Sequence, residues 1–192
     1  YKVCGVRLEK SGNTVTVIGV SAHASTPHLG KNAGLAALSF AVKLPSLSAE
    51  DKEAFEAILT LFPYGVTDGS GLGIKMNDEE SGDLTCTLDL FAVDDKEMSF
   101  TFDSRVPICG NKENCEDVAR KSSEAKGFVF ETNGMIPPHH VPKDSDFIKA
   151  LLSCYEKVTG EKGECIAIGG GTYVHEVENG VAFGAILPDV DT

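Results

Sequence analysis

The stretch Leu84-Thr-Cys-Thr-Leu-Asp-Leu-Phe-Ala-Val-Asp-Asp-Lys-Glu-Met-Ser-Phe-Thr-Phe-Asp-Ser-Arg-Val-Pro107 decides the fold. Leu84, Cys86, Leu88, Leu90 and Ala92 alternate with polar or mixed positions, as do Met98, Phe100 and Phe102, and a polar run at residues 94–97 separates the two arms. Strand side chains repeat with a period of two, so the pattern predicts an antiparallel hairpin with one apolar face. Thr101, Asp103 and Arg105 then share the face opposite the apolar one.

Working outward, Val3, Cys4 and residues 6–8 predict a strand, Ser11-Gly12-Asn13 a turn, and residues 14–20 a second strand rich in β-branched side chains. Asn32 is placed to cap a helix carrying Leu35, Leu38 and Val42 that ends before Pro45. Ser48 with Asp51 resembles a capping box, and Phe55, Ile58, Leu59 and Phe62 fall on one helical stripe stopped by Pro63. Residues 65–82 are glycine-rich and acidic without a period, the pattern of a mobile loop. Asn114 is placed to cap a further helix with Val118, Ala119, Ser122 and Ala125 inward, Gly127 to stop it, and residues 128–132 to form a strand before Asn133-Gly134.

From Thr14 the order is strand, helix pair, strand, strand, helix, strand. This is the α+β, ferredoxin-like two-layer sandwich with one inserted helix, an antiparallel sheet with helices on one face, over residues 1–136. Pro137, Pro138 and Pro142 break both helix and strand and mark a boundary. Residues 137–192 then read as a partial α/β segment. It has a helix through Phe147, Ile148, Leu151, Leu152, Tyr155 and Val158 ending at Gly160, a strand at 166–168, a Gly169-Gly170-Gly171 loop and an apolar strand at 181–187. Two short strands cannot close a core, so this tail is expected to complete a larger sheet.

Seventeen Lys plus Arg against 29 Asp plus Glu in 192 residues give a net charge of −12, which repels the phosphates of nucleic acid and of anionic lipid. Neither is an expected partner. No apolar run approaches the roughly 20 residues that span a bilayer, so no membrane role is expected. Six cysteines match no CxxC metal pair, which predicts free buried thiols in a reducing cytoplasm. The chain opens at Tyr1 within an alternating segment, as a piece of a longer protein would.

Chemistry has few candidate carriers. His23 lies in the loop after residues 14–20 among Ser21, Ala22, Ala24 and Ser25, small flanks that leave the ring open to a ligand; a loop histidine bonded to its own backbone is the bland alternative. Arg105 could grip a carboxylate through two parallel hydrogen bonds, or simply pair with Asp103 on the same face. Gly169-Gly170-Gly171-Thr172 follows a predicted strand, and its amides could cradle an anion, although a tight turn explains the glycines as well. His139 and His140 are adjacent and point different ways. With no HExxH and no His/Asp/Glu cluster, no metal site is expected on this chain.

Three stretches together carry a resemblance: Val17-Ile-Gly-Val-Ser-Ala-His-Ala-Ser-Thr-Pro-His-Leu-Gly-Lys-Asn-Ala33, Thr101-Phe-Asp-Ser-Arg-Val-Pro107, and Ile168-Gly-Gly-Gly-Thr-Tyr-Val-His175 with Asn179-Gly-Val-Ala-Phe-Gly184. They resemble the PepV-type zinc dipeptidases, within the wider family of acetylornithine deacetylase, succinyl-diaminopimelate desuccinylase and aminoacylase. The resemblance implies a ferredoxin-like lid inserted into a zinc-peptidase domain. It implies that His23 polarises the scissile carbonyl oxygen, that Arg105 holds the substrate carboxylate, and that Gly170, Gly171 and Thr172 belong to the substrate-binding loop. It also implies that the zinc ligands of the full-length enzyme lie outside this sequence, so that this chain alone binds no catalytic zinc and hydrolyses no dipeptide. His175 and Leu187-Pro188-Asp189 depart from the family's pattern.

In a ferredoxin-like sheet His23 and Arg105 would sit at opposite ends of neighbouring strands, about six residues apart at roughly 3.4 Å each. That spacing suggests that two lids, as in a two-fold homodimer, share one site. Two other classes compete with the enzyme: a non-enzymatic association module, and a carboxylate-binding domain built on Arg105 alone.

Overall fold

A computed structural model of the protein describes residues 5–184. Strands β1 (Arg7–Ser11) and β2 (Thr14–Ile18) form an antiparallel hairpin, with Arg7 opposite Ile18. Helices α1 (Ala33–Ala41) and α2 (Ala49–Leu61) follow, then the two-residue strands β3 (Asn77–Asp78) and β4 (Gly82–Asp83). The long hairpin of β5 (Thr85–Val93) and β6 (Met98–Arg105), helix α3 (Asp117–Glu124) and helix α4 (Asp146–Thr159) complete the order.

The caps act as predicted. The Asn32 side chain accepts from the amide of Leu35, and that of Ser48 from the amide of Asp51, each satisfying a donor that the first helical turn leaves open. The next cap is shifted by three residues. Asn111, not Asn114 alone, opens a π-helical turn at Lys112–Glu116 through a reciprocal box with Asn114, and α3 continues from it to a left-handed Gly127.

The core lies between the inner face of β5 and β6 and the helices. Leu35 and Leu38 of α1, Phe55, Ile58 and Leu61 of α2, Leu84, Cys86 and Leu88 of the hairpin, and Ala119 of α3 are buried together. Ile58 is fully enclosed; burying a side chain of this size contributes about 1.5–3 kcal/mol. Phe62, just past α2, packs on Phe100 and Phe102 with ring centroids 5.7 and 5.3 Å away.

Four expectations need correction. The predicted alternation fails at Asp89, where a β-bulge separates Leu88 from Leu90. Beyond it Phe91 turns toward Phe55, and Leu90 faces out at 67% exposure. Residues 65–82 are not a loose loop, because Leu72 and Ile74 are buried and a 3₁₀ turn at Ser70–Leu72 is flanked by left-handed Gly69 and Gly73. That turn fits closely: a Cβ on Gly71 would stand 2.3 Å from the Leu61 carbonyl oxygen.

Third, the α+β class holds, but the described strands form three two-stranded sheets. Asn32 Nδ2 donates to the Leu88 carbonyl, so a side chain occupies an acceptor that a neighbouring strand would take. Residues 128–132 lie against β6 without forming a strand. Phe128 and Phe130 meet Phe100 and Phe102 through their rings, at 4.9 and 6.1 Å. Fourth, of the five described cysteines, which are free, Cys86 and Cys115 are buried, but Cys109, Cys154 and Cys165 are exposed.

In the tail, α4 forms as predicted, with Ser145 as cap and left-handed Gly160 as stop. Residues 166–168 and 181–184 are not strands, since neither segment has a strand to pair with; the rest of the predicted last strand, residues 185–187, lies outside the described residues, as do Val3, Cys4 and Leu187-Pro188-Asp189. Ile166, Ile168 and Tyr173 stand exposed at 65–89%.

Candidate functional site

The loop that carries His23 is closed at its base. Val20 and Lys31 exchange backbone hydrogen bonds of 3.0 and 2.8 Å, so residues 21–30 leave and return at one point. Two glycines permit this: a Cβ on Gly19 would stand 2.1 Å from the Lys31 carbonyl oxygen, and one on Gly30 would stand 3.0 Å from that of Val20. The loop is tied to β5 at two points. Thr85 Oγ1 donates to the Ala24 carbonyl at 2.8 Å, and Asn32, just past the base, reaches Leu88 at 2.6 Å.

His23 opens a turn in which the Thr26 amide donates to the His23 carbonyl at 2.9 Å. The imidazole is exposed, and its Nδ1 lies 2.8 Å from Ser25 Oγ and 3.2 Å from the Ser25 amide nitrogen. The bland alternative and the functional one therefore coexist: one ring nitrogen is bonded locally, and the ring stays open to solvent.

Arg105 ends β6 directly opposite Thr85, the residue that anchors Ala24. The loop of His23 and the guanidinium thus belong to the same end of the long hairpin. This corrects the expected separation of about six residues, which assumed that β2 and β6 were neighbours in one sheet. Arg105 pairs with Asp103 across two contacts, Nε to Oδ1 at 2.7 Å and Nη2 donating to Oδ2 at 2.8 Å. Only the second is a hydrogen bond; the buried Nε–H makes none and is held by charge alone. A second carboxyl belongs to the same neighbourhood. Burial and the charge of Asp103 push the Asp89 carboxyl up from its ordinary value, against the pull of Arg105.

The glycine loop meets both elements. A Cβ on Gly169 would stand 2.8 Å from Ser25 Cβ and 3.6 Å from Arg105 Cβ, and one on Gly170 would stand 3.7 Å from Arg105 Nη1. A Cβ on Gly171 would meet nothing within 4 Å, and the Thr172 carbonyl accepts from the His175 amide in a turn. Gly169 to Thr172 and Arg105 line a cleft of about 2380 Å³, together with Phe100, Phe102, Phe128, Ile148 and Tyr155.

The histidines do not converge on a metal. His139 Nε2 is bonded to the Gly180 carbonyl at 2.7 Å, and His140 Nε2 lies 3.1 Å from Glu80 Oε2. Among the described residues no group of three or more His, Cys, Asp or Glu side chains could hold an ion, so the donors present do not fit zinc. Sequence reasoning passed over Ser25, read only as a small flank, and took Gly169 only as part of a glycine run, without the contact 144 residues away that requires it to lack a side chain. That contact leaves no local signal.

The fold is thus an α+β unit of antiparallel hairpins and helices that gathers a histidine loop, an arginine and a glycine loop at one end. Residues 10–121, more than half of the chain, match the model of the M20 peptidase dimerisation domain, and the chain belongs to that family. It is also 31% identical over 177 residues to proteins named "Putative dipeptidase" from Staphylococcus aureus strains USA300, NCTC 8325 and MRSA252. The similarity covers 91% of this chain and 37% of each relative, so the chain spans little more than a third of their length.

Proposed function

We propose that the chain is the lid and part of the catalytic domain of a zinc-dependent dipeptidase of the cytoplasm that hydrolyses dipeptides or related amides. Residues 1–136 are the lid and residues 137–192 the catalytic segment. The zinc of the full-length enzyme is held by residues outside this chain. His23 donates a hydrogen bond to the scissile carbonyl oxygen as that oxygen gains negative charge. Arg105 receives the substrate's terminal carboxylate, and Gly170, Gly171 and Thr172 line the approach.

The observation that supports this reading is the meeting of three segments distant in sequence: Gly169 lies against both Ser25, the partner of His23, and Arg105. The family's description supports pairing with a second copy. Among the described residues no helix is long and apolar enough to cross a membrane.

The test uses the full-length protein. Loss of one oxyanion donor typically costs about 2.7–4 kcal/mol, so His23→Ala lowers kcat at least ~100-fold. Arg105→Ala raises KM for dipeptides with a free terminal carboxylate and leaves their amidated counterparts unchanged. A near-normal rate for His23→Ala refutes the role of the histidine, and equal effects on both substrates refute that of the arginine. If neither variant alters hydrolysis, the chain is an association module instead.

A further inference from the structure

We infer that Ser25 positions His23 and fixes which of its ring nitrogens carries the proton. The Ser25 amide can only donate, and it faces His23 Nδ1 at 3.2 Å. Nδ1 must therefore present its lone pair. The Ser25 hydroxyl, 2.8 Å from the same nitrogen, turns its hydrogen toward that lone pair as well. The opposite tautomer would keep the hydroxyl contact by reversing it, but would set an N–H against an N–H at the amide. The neutral ring consequently carries its proton on Nε2.

This inference rests on the proposed role of His23, and it gives that role its chemistry. A ring with Nδ1 occupied from within its own turn has one donor left to offer, Nε2–H, and the residue is exposed. Ser25 is itself held from both directions. The Thr26 amide closes the turn onto the His23 carbonyl, and Gly169 lies so close to Ser25 Cβ that no side chain fits between them. Ser25 is thus a positioning residue that acts through His23.

Long-range proton–nitrogen correlation spectra of the ¹⁵N-labelled chain, taken where the ring is neutral and with His23 identified by its loss in His23→Gln, read the tautomer directly. We expect the unprotonated signature at Nδ1 in the unaltered chain and its retention in both Ser25→Ala and Ser25→Thr, because each keeps the backbone amide that faces Nδ1. In the full-length enzyme, removing one hydrogen bond of ordinary strength lowers kcat about tenfold in Ser25→Ala with KM held, and Ser25→Thr restores it. A protonated Nδ1 in the unaltered chain, or an unchanged kcat in Ser25→Ala, overturns the inference. Full activity of His23→Gln would instead overturn the catalytic role while leaving the tautomer assignment standing.

Discussion

Asn32 joins two jobs in one side chain, and their separation is measurable. Its Oδ1 caps α1 by accepting from Leu35 at 3.0 Å, and its Nδ2 donates to the Leu88 carbonyl at 2.6 Å, next to the bulge in β5. Asn32→Ala removes both. Loss of an N-cap costs about 1 kcal/mol, and stranding a largely buried carbonyl costs about 1–3 kcal/mol, so the sum is about 3 kcal/mol. Asn32→Ser keeps a capping oxygen but is too short to reach β5, and loses only the second part, about 2 kcal/mol. In urea, with a slope of about 2.5 kcal/mol/M for a chain of this size, the unfolding midpoint falls by about 1.2 M in Asn32→Ala and about 0.8 M in Asn32→Ser. Circular dichroism followed through the transition checks both. If Asn32→Ser unfolds with the unaltered chain, the strut to β5 contributes nothing. If both variants fall together by the full amount, the cap contributes nothing.

Two further outcomes are expected. Hydrogen bonds from the Ser81 amide and hydroxyl, and from the amides of Cys109 and Glu80, hold the Asp78 carboxyl down at about 2. A folded pKa below the unfolded one contributes stability above the unfolded value, which is lost as pH falls from about 4 toward 2. Asp78→Asn should therefore flatten the acid limb of Tm against pH over that window, and an unchanged limb would count against the carboxylate. In the full-length protein Gly169→Ala must push Ser25 or the glycine loop aside. It is expected to lower kcat/KM at least ~10-fold while Tm moves little, because the added methyl contacts no core residue; unchanged turnover would mean that the close approach has no functional weight.

What could be read from the sequence was what is decided locally. Asn32 and Ser48 announce helix starts because a capping side chain bonds within three residues of itself. The long hairpin announces itself through alternation, yet the bulge at Asp89 does not, since Leu88, Leu90 and Ala92 continue the period across the point where the strand changes face. Leu72 and Ile74 were hidden by the glycines around them, which read as flexibility but allow a tight turn to enter the core. Residues 166–168 and 181–184 have strand composition without strand structure, because pairing needs a partner that composition does not contain. At the site, His23 and Arg105 stood out by residue type and setting. Their neighbourhood did not, because it depends on the Thr85 hydroxyl reaching Ala24 and on Gly169 reaching Ser25, contacts 61 and 144 residues apart.

The clasp between Val20 and Lys31 has a consequence for how this protein can change over time. Because both stems of the histidine-bearing segment are fastened at a shared root, His28 and Leu29, exposed beyond the anchors at Ala24 and Ser25, can be exchanged without transmitting strain to β2 or α1. The outer rim of the segment can then be rewritten with the framework beneath inherited intact.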